Sequence, residues 1–256
     1  MNVEDKVALI TGAAEGLGKA FAEELLKKNA RGIAIVDVQR SKGEATAKKF
    51  QETYGKDKAV YIYCDVTDAE KLKSAFILTK LTYDRIDIVV NNAGVGDEKK
   101  WEMMLKINLT AVIQGTFLAQ EHMSHVNGGQ GGVIINVASM AGLLHAPYAP
   151  VYTATKYGVV GLTRCLGLYD DELVSNRIRI NALCPAFTDT AIINKSTMNA
   201  SKARVQEIRN HLDLLPVALV AKAFMRLVEE NLHGQIMRVT LEKGIDFQYY
   251  KPIPKL

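Results

Sequence analysis

Short runs of β-branched and aliphatic residues alternate with amphipathic stretches along the whole chain, the pattern of successive βαβ units. Strands are expected at Lys6 to Thr11, Gly32 to Asp37, Ala59 to Cys64, Ile86 to Asn91, Gly132 to Ser139, Arg177 to Cys184 and Gln235 to Thr240. Between them, stretches beginning near Gly16, Ser41, Asp68, Trp101, Tyr152 and Val217 carry helical periodicity. Several of the strands are apolar throughout, so helices should cover both faces of the sheet. The expected fold is therefore α/β: one Rossmann-type doubly wound sheet of about seven parallel strands, flanked by helices. Gly128 to Gly132 reads as a turn ahead of a strand.

The 256 residues suffice for one such domain, 1–256, and two would be a stretch. Between the sixth strand and the last helix, about 188–215, the chain is polar and weakly periodic; it is expected to act as a substrate lid. The net charge of +4 is spread out, with no basic stripe, so neither nucleic acid nor a membrane surface is expected as a partner. With no apolar leader or membrane-length run, a cytoplasmic location is expected. Cys64, Cys165 and Cys184 are far apart, without metal-type spacing; they read as reduced core thiols, and no metal is expected.

Thr11-Gly12-Ala13-Ala14-Glu15-Gly16-Leu17-Gly18 follows the first strand and opens a helix. Glycines there let backbone approach a pyrophosphate, and the unpaired N–H groups of the helix N-terminus favour the negative charge. A plain tight turn would give the same pattern, but the next strand ends in Asp37, nineteen residues after Gly18. A carboxylate at that place accepts hydrogen bonds from an adenosine ribose and repels a 2′-phosphate, which favours NAD over NADP. Arg40 is the counter-signal, since an arginine nearby can bind that phosphate. Ser41 is the better candidate than Asp37 for capping the next helix. Asp65 and Val66 close the third strand, and Asn91-Asn92-Ala93-Gly94 the fourth; Asp65 and Asn91 read either as neighbours of an adenine or as turn residues.

Tyr152 stands four residues ahead of Lys156, with Ser139 thirteen residues upstream of the tyrosine. On a helix the tyrosine and lysine share one face. At roughly 5 Å and an effective dielectric near 20, an ammonium stabilises tyrosinate by about 3 kcal/mol, or about two pKa units. Tyr152 could then take a proton from an alcohol while the Ser139 hydroxyl holds the same oxygen. A tyrosine and lysine at this spacing also occur by chance on many helices.

Together these residues resemble the short-chain dehydrogenase/reductase family: Thr11 to Gly18 matches its TGxxxGxG, Asn91 to Gly94 its NNAG, and Ser139, Tyr152 and Lys156 its catalytic set. The resemblance implies that Asn108 holds a helix distortion and a water linking the lysine to solvent. It implies that Gly12, Glu15, Gly16, Leu17, Gly18, Asp37, Asp65, Val66, Asn92, Ala93 and Gly94 line NAD, together with Tyr152, Lys156, Pro185, Phe187, Thr188 and Thr190. The family's Pro-Gly after the sixth strand reads Pro185-Ala186 here, while Thr190 keeps the position that contacts the carboxamide. Ser139, Tyr152, Ala149 and Phe187 are expected at the substrate. Ala149 departs from a branch of the family that has glutamine there to help hold the substrate hydroxyl.

The expected activity is oxidation of a lipid-like or steroid-like secondary alcohol with NAD, the apolar residues Leu143, Leu144, Phe187, Ile192 and Ile193 lining the pocket side. The alternatives are an NADP-dependent carbonyl reductase, a dehydrogenase of small or isoprenoid alcohols, and a dinucleotide-sensing protein without catalysis; an incomplete Ser, Tyr, Lys set would mark the last. His145 and Tyr148 could line the pocket or pack a loop, and Trp101, Met103 and Met104 read as core before pocket wall. The apolar helix from Tyr152 to Leu173 suggests subunit contact, and the resemblance also implies a homodimer or homotetramer.

Overall fold

Every residue of β1 (Val7–Thr11) and β2 (Gly32–Asp37) is buried, because alternate side chains enter two different apolar layers. Ala8, Ile10, Ile33 and Ile35 join one layer with Phe21, Leu25 and Phe224, while Leu9, Ala34 and Val36 join the other with Leu72, Phe76 and Met123. A strand covered on both faces must be apolar at every position, which is why the runs in the sequence do not alternate. The computed structural model describes residues 1–169, 171–188 and 213–251. Among the described residues no helix is long and apolar enough to cross a membrane.

The strand order is β3-β2-β1-β4-β5-β6-β7-β8, with β3 (Ala59–Tyr63), β4 (Ile88–Asn91), β5 (Gly132–Val137), β6 (Ile178–Pro185), β7 (Ile236–Thr240) and β8 (Gly244–Phe247). β1 to β7 run parallel, as expected, and β8 pairs antiparallel with β7. The expectation of about seven strands thus misses β8. It is a four-residue edge strand, partly exposed throughout, and Gly244 at φ +66° makes the turn into it. So short a segment has no periodicity to read.

The order reverses between β1 and β4, so their carboxyl ends diverge into a crevice, where open α/β sheets take ligands. Helices α1 (Gly16–Lys27) and α2 (Arg40–Tyr54) follow β1 and β2. Helix α3 (Ala69–Tyr83) lies on the opposite face, where Leu72, Ala75 and Phe76 pack. Next come α4 (Trp101–Leu105), a π-helical turn (Lys106–Thr110) and α5 (Ala111–Met123), then α6 (Pro150–Tyr169) and α7 (Asp171–Ser175). The last helix among the described residues, α8 (Val217–Glu229), lies on α1, with Phe21 and Phe224 stacked at 4.4 Å between ring centroids.

Some expected placements change. Trp101 and Met103 are exposed and only Met104 is core, since one face of a five-residue helix packs inward. Cys64 and Cys184 are buried, but Cys165 is exposed on α6, against the reading of all three as core thiols. Ser41 lies inside α2, whose N-cap position is Gln39. Leu215 N donates to Phe187 O at 2.7 Å, and Thr188 and Leu215 form a parallel bridge, so the two ends of the expected lid, 188–215, lie side by side. Residues 189–212, with Thr190, Ile192 and Ile193, lie outside the described residues.

Phe224 carries the α1–α8 contact. Replacing it with alanine is expected to cost about 3–5 kcal/mol in urea unfolding, with an unchanged denaturant slope. A loss below about 1 kcal/mol would show that this layer relaxes around the cavity.

Candidate active site

At the crevice, Gly12 and Gly16 adopt φ of +66° and +61°, where other residues are strained. A Cβ on Gly12 would stand 2.9 Å from Ala93 Cα, and one on Gly18 would stand 2.5 Å from Gly12 O. The loop is fastened to the end of β4: Asn92 Nδ2 donates to Thr11 O and Gly12 O at 2.9 and 3.0 Å, and Thr11 Oγ1 accepts Asn92 N and Ala93 N at 3.0 and 3.1 Å. The Asn92 side chain therefore holds the loop. The Glu15 carboxylate pairs with Lys42 at 2.6 Å rather than capping α1, whose first N–H groups face the crevice end. Leu17 is half-buried beside them.

The Asp37 side chain is buried, Oδ2 accepting Ala14 N at 3.0 Å and Oδ1 accepting Gln39 N at 2.9 Å. It thus braces the turn into α2, whose N-terminus has no side-chain cap, from Ser41 or otherwise. An ionised carboxylate has about four acceptor positions, so two remain for ribose hydroxyls. The Arg40 guanidinium is turned onto the Tyr63 ring at 5.3 Å and lies 3.8 Å from Glu44. Asp65 accepts Thr67 N and Thr67 Oγ1 at 3.0 and 2.8 Å, and Val66 is buried behind it. Asn91 departs from its adenine-side reading: it is buried, its amide donating to Asn136 Oδ1 at 2.8 Å and Thr116 Oγ1 at 3.3 Å.

The structure brings Ser139, Tyr152, Lys156, Asn108 and Gly94 together. Ser139 follows β5 and its Oγ accepts Ala141 N at 3.1 Å. The same side chain stands near enough to the Tyr152 phenol to favour its ionised form. Lys156, only 3% exposed, donates to Val137 O at 2.8 Å, and its Nζ lies 5.6 Å from the Tyr152 ring centroid. Asn108 lies in the π-helical turn, fully buried; its side chain accepts Val95 N at 2.9 Å and donates to Val95 O at 2.8 Å, as a neighbouring strand would. The helix distortion implied for Asn108 is present. A Cβ on Gly94 would sit 3.5 Å from Asn108 Oδ1 and 3.9 Å from Lys156 Nζ, so a larger residue would fill the space beside the ammonium.

The electrostatics differ from the expectation in one respect. Burial pushes the Tyr152 phenol above its ordinary range, and the nearby Ser139 side chain only partly offsets this. Burial also pulls the Lys156 ammonium down to about 8. Desolvation, invisible in a spacing argument, outweighs the attraction of the pair. The Cys184 thiol, pushed up to about 12 by burial, stays neutral beside them.

At the end of β6, Pro185 and Thr188 are buried and Phe187 is 49% exposed; Thr188 Oγ1 donates to Ala186 O at 3.0 Å. Ala149 precedes α6, its carbonyl accepting Thr153 N at 2.9 Å. Leu144 and His145 are exposed, while Leu143 packs against the layer holding Val160 and Cys184. Two residues of the site were missed. Thr155, buried, donates to Tyr152 O at 2.7 Å, and Glu98 accepts Tyr152 N and Val151 N at 2.9 and 3.2 Å. Glu98 is more than fifty residues from α6 in sequence, and no local pattern marks it.

A family model described as short chain dehydrogenase matches residues 6–201. The 15-hydroxyprostaglandin dehydrogenase [NAD(+)] of Homo sapiens is 42% identical over 99% of this chain and 98% of its own length. That of Mus musculus is 40% identical over 100% and 97%. A 3beta-hydroxysteroid dehydrogenase of Mediterraneibacter gnavus is 31% identical over 80% of this chain and 74% of its own. Among solved structures, a short chain dehydrogenase/reductase from Burkholderia phymatum in complex with NAD superposes with a TM-score of 0.80 at 24% identity, covering 91% of this chain and 89% of the other. A 3-ketoacyl-(acyl-carrier-protein) reductase from Brucella melitensis complexed with NADH gives 0.79 at 26%, covering 93% and 97%. With its glycine loop, its Ser139–Tyr152–Lys156 set and these likenesses, the chain belongs to the short-chain dehydrogenase family.

Lys156 is less basic folded than unfolded, so the unfolded chain binds more protons between about pH 8 and the ordinary lysine value of 10.5. Stability contributed by this group therefore rises across that window, and below it the buried ammonium costs about 3 kcal/mol. Lys156→Met, similar in length, is expected to melt higher than the wild type at pH 7, the gap narrowing as pH rises through 8 to 9.5. Differential scanning calorimetry reads this directly; a variant several degrees less stable at pH 7 would contradict it.

Proposed function

We propose that the chain oxidises a secondary alcohol to a ketone with NAD. The observation that carries this reading is the buried Lys156 ammonium, anchored on Val137 O and 5.6 Å from the Tyr152 ring centroid, with the Ser139 side chain near the phenol and Gly94 beside the ammonium. Tyr152 takes the proton of the substrate hydroxyl, and Ser139 holds that oxygen as its charge changes. Lys156, largely protonated below about pH 8, favours the ionised phenol and is the proposed partner of the nicotinamide ribose. When bound, NAD supplies the hydride acceptor and a positive ring that adds to the field of Lys156.

The residues present fit a dinucleotide: the glycine loop leaves no room for a Cβ at Gly12 or Gly18, and the α1 N-terminus offers its N–H groups to phosphate. Asp37 keeps acceptor positions for ribose hydroxyls and would repel a 2′-phosphate, which supports NAD over NADP. Gly12, Glu15, Gly16, Leu17, Gly18, Asp65, Val66, Asn92, Ala93, Gly94, Pro185, Phe187, Thr188 and Thr190 complete the proposed cofactor side.

The relatives named for 15-hydroxyprostaglandin oxidation favour a hydroxyl on a long apolar chain, and exposed Phe187 and Leu144 suit such a chain. The segment 188–215 is the proposed lid of a single catalytic domain, 1–256. Exposed Phe117 on α5 and Leu168 on α6 support a homodimer or homotetramer, and a cytoplasmic location completes the reading.

Tyr152→Phe is expected to lower turnover by about 1,000-fold while leaving NADH affinity nearly intact. Prostaglandin, steroid, isoprenoid and short alkyl secondary alcohols, assayed by NADH appearance with NADP in parallel, should show NAD-linked oxidation strongest with the lipid-like alcohols. Retained turnover in Tyr152→Phe, or a preference for NADP, would refute the reading.

A further inference from the structure

Helix α6 carries Tyr152 in its first turn yet has no cap of its own. The residue ahead of it, Ala149, has no side-chain acceptor, and Pro150 at its first position has no N–H. The next two amides, Val151 N and Tyr152 N, are both taken by one carboxylate from elsewhere in the chain, Glu98, at 3.2 and 2.9 Å. A negative charge there also complements the positive end of a twenty-residue helix.

The arm that presents Glu98 is itself fixed. It leaves β4 through Asn91 to Gly94, and Val95 is clamped at both its N–H and its carbonyl by Asn108. Asp97 accepts Lys99 N at 3.2 Å and so caps the short turn Glu98–Lys100. Gly94, beside Lys156 Nζ, and Glu98, on the Tyr152 amide, thus stand at the two ends of one five-residue strut. The strut runs from the side of the crevice where the dinucleotide is placed to the residue that handles the proton.

We infer that Glu98 is a positioning residue, coupling the cofactor-side segment Asn91–Val95 to the first turn of α6 and so fixing where the Tyr152 phenol stands. Ordering of that segment by a bound dinucleotide is passed through the Glu98 carboxylate to the Tyr152 backbone. The inference rests on the proposed roles of Tyr152 and the crevice. Catalytic geometry is sensitive at the scale of an ångström, so a loosened first turn lowers turnover more than it lowers cofactor binding.

The test combines kinetics with amide exchange. With NAD and the alcohol that the wild type oxidises best, Glu98→Ala is expected to lose on the order of 10- to 100-fold in kcat, with the KM for NAD little changed. Glu98→Gln, which keeps one acceptor oxygen, should recover much of the loss. Hydrogen–deuterium exchange should show NADH protecting the Val151 and Tyr152 amides in the wild type and not in Glu98→Ala. Unchanged kcat together with unchanged NADH-induced protection would overturn the inference. So would a parallel fall in kcat, NADH affinity and melting temperature that Glu98→Gln leaves uncorrected. A wild type that oxidises none of the alcohols yet shows Glu98-dependent protection would refute the proposed reaction while upholding the coupling.

Discussion

An ammonium group held almost out of water at the carboxyl end of a parallel sheet is the constraint around which this structure is arranged. Lys156 reaches Val137 O at the end of β5, with Gly94 and Asn108 close by, and burial lowers its basicity to about 8. A charge in that position is unfavourable unless its surroundings are fixed, and here they are. The π-helical turn at Asn108 gives up regular helical bonding so that its side chain can clamp Val95. Thr155 is buried between Asn108 and the Tyr152 carbonyl. The fold keeps a cation beside a phenol in a place where stability alone would favour neither.

The sheet makes this possible through topology. Reversal of strand order between β1 and β4 opens the crevice, and the ends of β4, β5 and β6 deliver Gly94, Ser139 and Pro185 to it. A second polar network lies beneath. Asn91, Asn136, Thr116 and Thr163 tie β4 and β5 to α5 and α6 by side-chain hydrogen bonds of 2.8 to 3.3 Å. Satisfied buried networks of this kind specify one register, and here the register places Tyr152 opposite Ser139.

The repeated units were legible because double-sided burial forces continuous apolar strands, and the glycine loop because Gly12 and Gly18 have no space for a Cβ. Asp37 was legible by its distance from that loop, although its side chain also braces the turn into α2, and the cap expected of Ser41 is absent. Other features depend on contacts that no local pattern records. β8 is four residues at an edge, Asn91 turns inward to a partner forty-five residues away, and Glu98 acts on a helix that follows α4, α5 and β5. The direction of the Tyr152 shift was missed for a physical reason: spacing reports the ammonium nearby but not the water removed from both groups.

Ultraviolet difference titration of tyrosine ionisation, wild type against Tyr152→Phe, with and without saturating NAD, addresses the central claim directly. The account predicts one extra tyrosinate in the wild type with NAD at a pH below the ordinary tyrosine range, absent from the variant and absent without NAD. Identical titrations of wild type and variant in the presence of NAD would show that Lys156 and bound NAD together do not ionise Tyr152, and would contradict the account.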